Sequence, residues 1–173
     1  MARGGSLFLA CGGALFVACS GAPEPVSVAR DEPISLGLFD LTVSRAEAVP
    51  DPPPAPLNTL STYPGIRVVV VLVKWSGLDS LDDQDRQIFL ESFLGERLTL
   101  VDAAERKYQA IHAMPEDHYH MRFPGGPVAE DWVVVFHVVE ESDDFTLLVE
   151  NPEPAEGEPR LSSVALGAVG GSS

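Results

Sequence analysis

Residues 66–76 read IRVVVVLVKWS, and residues 131–140 read DWVVVFHVVE. Alternating side chains along an extended backbone fall on opposite faces. In the first stretch Val69, Val71, Val73 and Trp75 therefore share one face. Val68, Val70 and Leu72 share the other, and Lys74 ends the run. In the second, Trp132, Val134, Phe136 and Val138 lie opposite Val133, Val135, His137 and Val139. β-Branched residues dominate both stretches, which disfavours helix and favours strand. Apolar residues on both faces mean strands covered on both sides, or central strands of a sandwich. His137, alone among valines, is expected to be a core histidine with its hydrogen bonds satisfied.

Outward from these two strands the chain is punctuated by turns. Residues 34–49, ISLGLFDLTVSRAEAV, alternate and read as one half-buried strand. Residues 50–65 contain PDPPPAP and Tyr63-Pro64-Gly65 and read as a surface loop, because proline lacks the ladder donor. Residues 80–94, SLDDQDRQIFLESFL, change period and predict a short helix. Ser80 is its expected N-cap, with Asp82 and Asp83 in the first turn and an Asp82–Arg86 pair four residues apart. Leu81, Ile88, Phe89 and Phe93 are expected to face the body. The acidic group Asp79, Asp82, Asp83 and Asp85 lacks the spacing of a calcium loop. Residues 97–111 read as two strands with a turn at 102–106, 112–127 as a loop, 145–150 as a strand, 151–160 as an acidic Pro/Gly loop and 161–166 as a last strand. Short strands without strand–helix alternation predict an all-β fold, an antiparallel β-sandwich with one short inserted helix at about 80–94.

The strand order carries a resemblance. Leu98-Thr99-Leu100-Val101-Asp102 with Tyr108, then Pro124-Gly125-Gly126, then Trp132 to Phe136, then Phe145 to Val149, resemble the uncharacterised immunoglobulin-like domain of many bacterial surface lipoproteins. The resemblance spans 34–167. It departs at Ser76-Gly77, where that domain carries an Asn-rich turn, and at the 80–94 insertion. It implies an extracytoplasmic binding or assembly domain and supplies no catalytic residues.

The N-terminus agrees with export. Arg3 is followed by an apolar run from Leu7 to Val17 and by small residues, the layout of a secretory signal. The run is too short and too rich in glycine to span a membrane. LFVAC (15–19) resembles a bacterial lipobox, which makes Cys19 the expected lipidation site. Cys11 is the rival, but processing there would leave ALFVA exposed. The expected organisation is a signal peptide (1–18), a lipid-bearing Cys19 with a flexible tether (19–33), the immunoglobulin-like sandwich (34–167) and a disordered C-terminus (168–173). Both cysteines lie in this leader region, so the fold must rest on burial without disulfides.

The chain has 11 basic and 26 acidic residues and a net charge of −15, which removal of Arg3 takes to −16. Such a surface repels phosphate backbones, which argues against nucleic-acid binding, and anionic headgroups, which leaves a lipid anchor as the expected membrane partner. The location expected is the cell envelope. Ser20 after the cysteine favours the outer membrane in a Gram-negative cell.

Sequence motifs for catalysis (GxSxG, HExxH, a glycine-rich phosphate loop) are missing, so no enzyme and no cofactor is expected. The polar cluster His112, Met114, Glu116, Asp117, His118, His120 and Met121 is the alternative. Imidazole with thioether suits copper and imidazole with carboxylate suits zinc, so His112, His118, His120 and Met121 are candidate metal ligands. The preferred expectation is a non-catalytic lipoprotein domain that binds or supports another envelope component, an envelope protein foremost, with the 50–65 and 112–127 loops as candidate contact surfaces.

Overall fold

In the computed structural model, which describes residues 23–49, 63–119 and 130–169, strand β4 (Ile66–Ser76) pairs antiparallel with β7 (Asp131–Val139). Val69 lies opposite Phe136, Val71 opposite Val134 and Val73 opposite Trp132, so the two predicted inner faces meet in register. These residues are essentially solvent-free, and each fully buried large side chain contributes about 1.5–3 kcal/mol.

The remaining strands are β1 (Val26–Val28), β2 (Pro33–Ser35), β3 (Asp40–Ala48), β5 (Leu98–Asp102), β6 (Lys107–Pro115), β8 (Asp144–Glu150) and β9 (Leu161–Ala168). Helix α1 spans Asp83–Arg97 and α2 spans Glu116–Tyr119. The strand order is β1-β9-β8-β5-β6-β7-β4-β3-β2. Strand β6 belongs to both halves. Its first residues pair with β5 and those from Ala110 onward pair with β7, with a bulge between Ala110 and His112. Bulges of this kind let a strand turn the corner between packed sheets. The two halves close on one another: Leu41, Val71 and Trp132 of one half share a single buried cluster with Leu100, Leu147 and Val164 of the other. The fold is an all-β sandwich.

The other face of β4 and β7 is buried as well. Val68, Val70, Met114, Val133 and Val135 form a second cluster, with Val49 and Leu72 against it. Both faces of the central strands are thus covered, as their two-sided apolar pattern requires.

Several expectations are corrected. The pairing is antiparallel except at one edge, where β1 lies parallel to β9. The expected tether over 19–33 contains that strand, and β2, which pairs with β3, begins at Pro33. Between them Asp31 turns the chain at φ +64°, its N–H donating to Val43 O at 3.0 Å. Residues 34–49 are two strands rather than one, because Leu36 to Phe39 form a turn. At the C-terminus Ala168 ends β9 and Val169 is buried, its N–H donating to Asp143 O. Ordered structure therefore runs past 167, and 170–173 lie outside the described residues.

Helix α1 starts and ends three residues later than predicted. Asp82, not Ser80, is the N-cap: its carboxylate accepts the Asp85 N–H at 2.9 Å. Arg86 pairs with Asp83 rather than Asp82 and stacks 5.4 Å from the centre of the Trp75 ring. Leu90, Phe93 and Leu94 are buried, whereas Ile88 faces water. The stretch 112–127 is not all loop, since β6 continues to Pro115 and α2 follows. No helix among the described residues is long and apolar enough to cross a membrane.

Candidate functional site

The turn between β2 and β3 builds an apolar groove. Leu36 N–H donates to Phe39 O at 2.9 Å, and Gly37 supplies φ +78°, a conformation that glycine adopts without strain. The turn presents Leu38 at its tip, 75% exposed, and folds Phe39 inward. Phe39 meets helix α1 edge-on, 5.5 Å from the Phe89 ring and 5.0 Å from the Phe93 ring, and these two rings stack at 6.0 Å. The helix supplies both rings from one face because they are four residues apart. The third wall is the start of the β8–β9 loop, Asn151 to Glu153. The resulting groove holds about 410 Å³.

Carboxylates rim the groove. Glu158 accepts from Ser35 Oγ at 2.9 Å, from Asn151 Nδ2 at 3.1 Å and from Ala155 N–H at 3.1 Å. The Ala155 N–H, then the Ser35 hydroxyl, hold its carboxyl below the ordinary glutamate value, so it is ionised at neutral pH. A Cβ on Gly37 would lie 3.7 Å from Glu158 Oε2, which places that charge beside the turn. Glu153 stands exposed on the same wall.

A second polar centre sits at the other end of β8. Asp102 ends β5 on the inward side, with its side chain 1% exposed. Its Oδ1 accepts the N–H groups of Ala104 and Arg106, both at 2.9 Å. Its Oδ2 accepts from Ser142 Oγ at 2.5 Å, Arg106 Nε at 2.6 Å and the Tyr108 hydroxyl at 2.8 Å. Burial pushes the carboxyl up, but the hydrogen bonds from Ser142, Tyr108 and Arg106 outweigh it and hold the group well below the usual carboxylate range. A general base needs a proton affinity matched to the working pH. A carboxylate with five donors and so low a proton affinity is a clamp, not a base. It joins the β5–β6 turn to the β7–β8 turn, and Arg67 of β4 adds hydrogen bonds to Ser142 O and Val169 O. The Asp102–Tyr108 spacing that carried the family resemblance is thus a hydrogen bond.

Of the four predicted metal ligands, His112 and His118 lie among the described residues, on different elements. His112 is exposed on β6, beside a hollow lined by Glu91 and Glu96. His118 is exposed in the short helix α2 rather than on an extended strand. His120 and Met121 lie outside the described residues, as does Cys19. Among the described residues no three His, Cys, Asp or Glu side chains are placed to hold a metal ion. His137 is partly buried on the outer face of β7, and its buried Nε2 has no hydrogen-bond partner among the described residues, contrary to the satisfied core histidine expected.

Sequence reading missed both the groove and the Asp102 clamp. The clamp had a signal: Leu98, Leu100 and Asp102 share one face, so an aspartate stands where the alternation demands a core residue. The groove had none beyond Gly37, because its three walls come from segments far apart in the chain.

No protein-family model and no curated protein matches the chain. Among solved structures, an uncharacterised β-sandwich protein from Clostridium difficile is 11% identical, with 84% of this chain and 97% of that one covered and a TM-score of 0.48. A Bacillus subtilis protein described as "a putative lipoprotein (ycdA)" is 15% identical over 79% of this chain, with a TM-score of 0.41. The match spans 38% of that chain's length. The assignment of a sandwich rests on the registers and the shared core described above.

Proposed function

We propose that this chain is a lipoprotein of the cell envelope, anchored through lipid on Cys19, whose immunoglobulin-like sandwich binds another envelope protein without performing chemistry. The observation that carries the binding reading is the open apolar groove under Leu38. A leucine 75% exposed at a turn tip, above three clustered phenylalanine rings, is the kind of apolar recess that protein partners fill. The envelope reading is supported by the leader-like residues 1–18 and the lipobox-like LFVAC. Ser20 favours the outer membrane in a Gram-negative cell.

A photo-cross-linking residue placed at position 38 in cells tests this reading. It is expected to trap one protein reproducibly, while the same residue at Asp144, at the opposite end of β8, traps none. Equal and scattered products from both positions sink the reading.

A further inference from the structure

We infer that the Leu38 groove recognises a basic polypeptide segment whose apolar side chains anchor in the groove while its lysines or arginines meet the carboxylate rim. This rests on the binding reading above and specifies its partner. The argument is one of charge and shape. The floor is apolar, formed by Phe39, Phe89 and Phe93. The exposed Glu153 lines its edge, and behind Gly37 stands Glu158, ionised and held by hydrogen bonds from Ser35, Asn151 and Ala155. The loop that forms the wall, NPEPAEGEPR (151–160), carries three glutamates against one arginine. On the helix side, Asp85 is exposed four residues before Phe89, on the same helical face. An apolar recess rimmed by like charge selects a partner of opposite charge and suppresses acidic competitors. Phospholipid headgroups bear phosphate, which this rim and the net charge of −15 repel, so an acyl chain with an anionic head is disfavoured. A volume of about 410 Å³ lies within the range of sites that enclose small ligands, and holds a few side chains.

The test uses the full anchored chain in phosphatidylcholine nanodiscs, with empty discs subtracted, and fluorescence anisotropy of labelled short peptides. A peptide of alternating Lys and Leu is expected to bind more tightly at low salt than at physiological salt. Replacing its lysines with glutamate, or its leucines with serine, is expected to weaken binding by about tenfold or more. Leu38→Ser is expected to weaken the Lys/Leu peptide about tenfold, and Glu153→Gln to weaken it and flatten its salt dependence. Asp144→Asn is expected to change neither. The inference is overturned if the Lys/Leu peptide fails to bind, if it binds no better than either control peptide, or if Leu38→Ser leaves it unchanged. The cross-linking at position 38 separates the two levels. An acidic segment trapped there overturns this inference and leaves the binding reading standing, whereas no trapped protein overturns both.

Discussion

Asp102 is the residue on which one end of the sandwich depends. Five donors converge on a carboxylate whose side chain is 1% exposed, and removing one leaves less compensation for the same buried charge. Tyr108→Phe deletes one donor without opening space and is expected to cost about 1–2 kcal/mol in urea unfolding. Asp102→Asn is expected to cost about 2–3 kcal/mol, because hydrogen bonds to a charged group are the stronger ones. The pH dependence follows from the depressed carboxyl. Its stabilisation is complete above the unfolded value near 3.9. As pH falls below that value the unfolded chain takes up its proton first, and the contribution is gone once pH has fallen through the folded value. The difference in Tm between wild type and Asp102→Asn should be constant from about pH 7 to 5 and narrow below about pH 4. An undiminished difference at pH 3 would refute the clamp.

At the level of elements, helix α1 makes the clearest claim. Asp82 caps it, so Asp82→Ala is expected to cost about 1 kcal/mol while Ser80→Ala costs nothing measurable. Leu90→Ala, fully buried, is expected to cost about 2–5 kcal/mol, and Ile88→Ala, on the wet face, to stay within about 0.5 kcal/mol. Urea titration of the four variants checks the whole set. The same helix shows what sequence could and could not yield. Its existence was legible in the change of period after Ser76, but its start was not, since Ser80 and Asp82 are both good caps and only backbone geometry chooses between them. Strands β4 and β7 were legible down to their faces, because composition and alternation agree there. The alternation of 34–49 misled, since Leu36, Leu38 and Asp40 keep a strand's period straight through a turn that only Gly37 marks. The groove itself joins residues 38, 89 and 152, and no local pattern encodes a contact across such separations.

For the molecule as a whole, the N-terminal segment couples the proposed anchor to the proposed binding surface. Within residues 26–35 the chain first covers the edge of β9 and then the edge of β3, so one short segment closes both halves of the sandwich. Just before it, Pro23 lines a hollow with Asn151 and Pro152, the two residues that also wall the Leu38 groove. Cys19 lies four residues ahead of Pro23, and four residues reach at most about 14 Å. A lipid on Cys19 would therefore hold the groove close to the bilayer surface, where a partner must itself be near the membrane. The acidic surface offers no electrostatic substitute for such an anchor, because it is repelled by anionic headgroups. Cys19→Ser is accordingly expected to move the protein from the membrane pellet to the soluble fraction and to abolish metabolic labelling with a clickable fatty acid. A Cys19→Ser protein that stays in the pellet and still takes up label would place the anchor elsewhere and remove the reason for a membrane-proximal groove. Restoring distance tests the coupling separately: a long Gly/Ser insertion between Ala22 and Pro23 should leave fatty-acid labelling intact while reducing cross-linking from position 38 to a membrane-held partner.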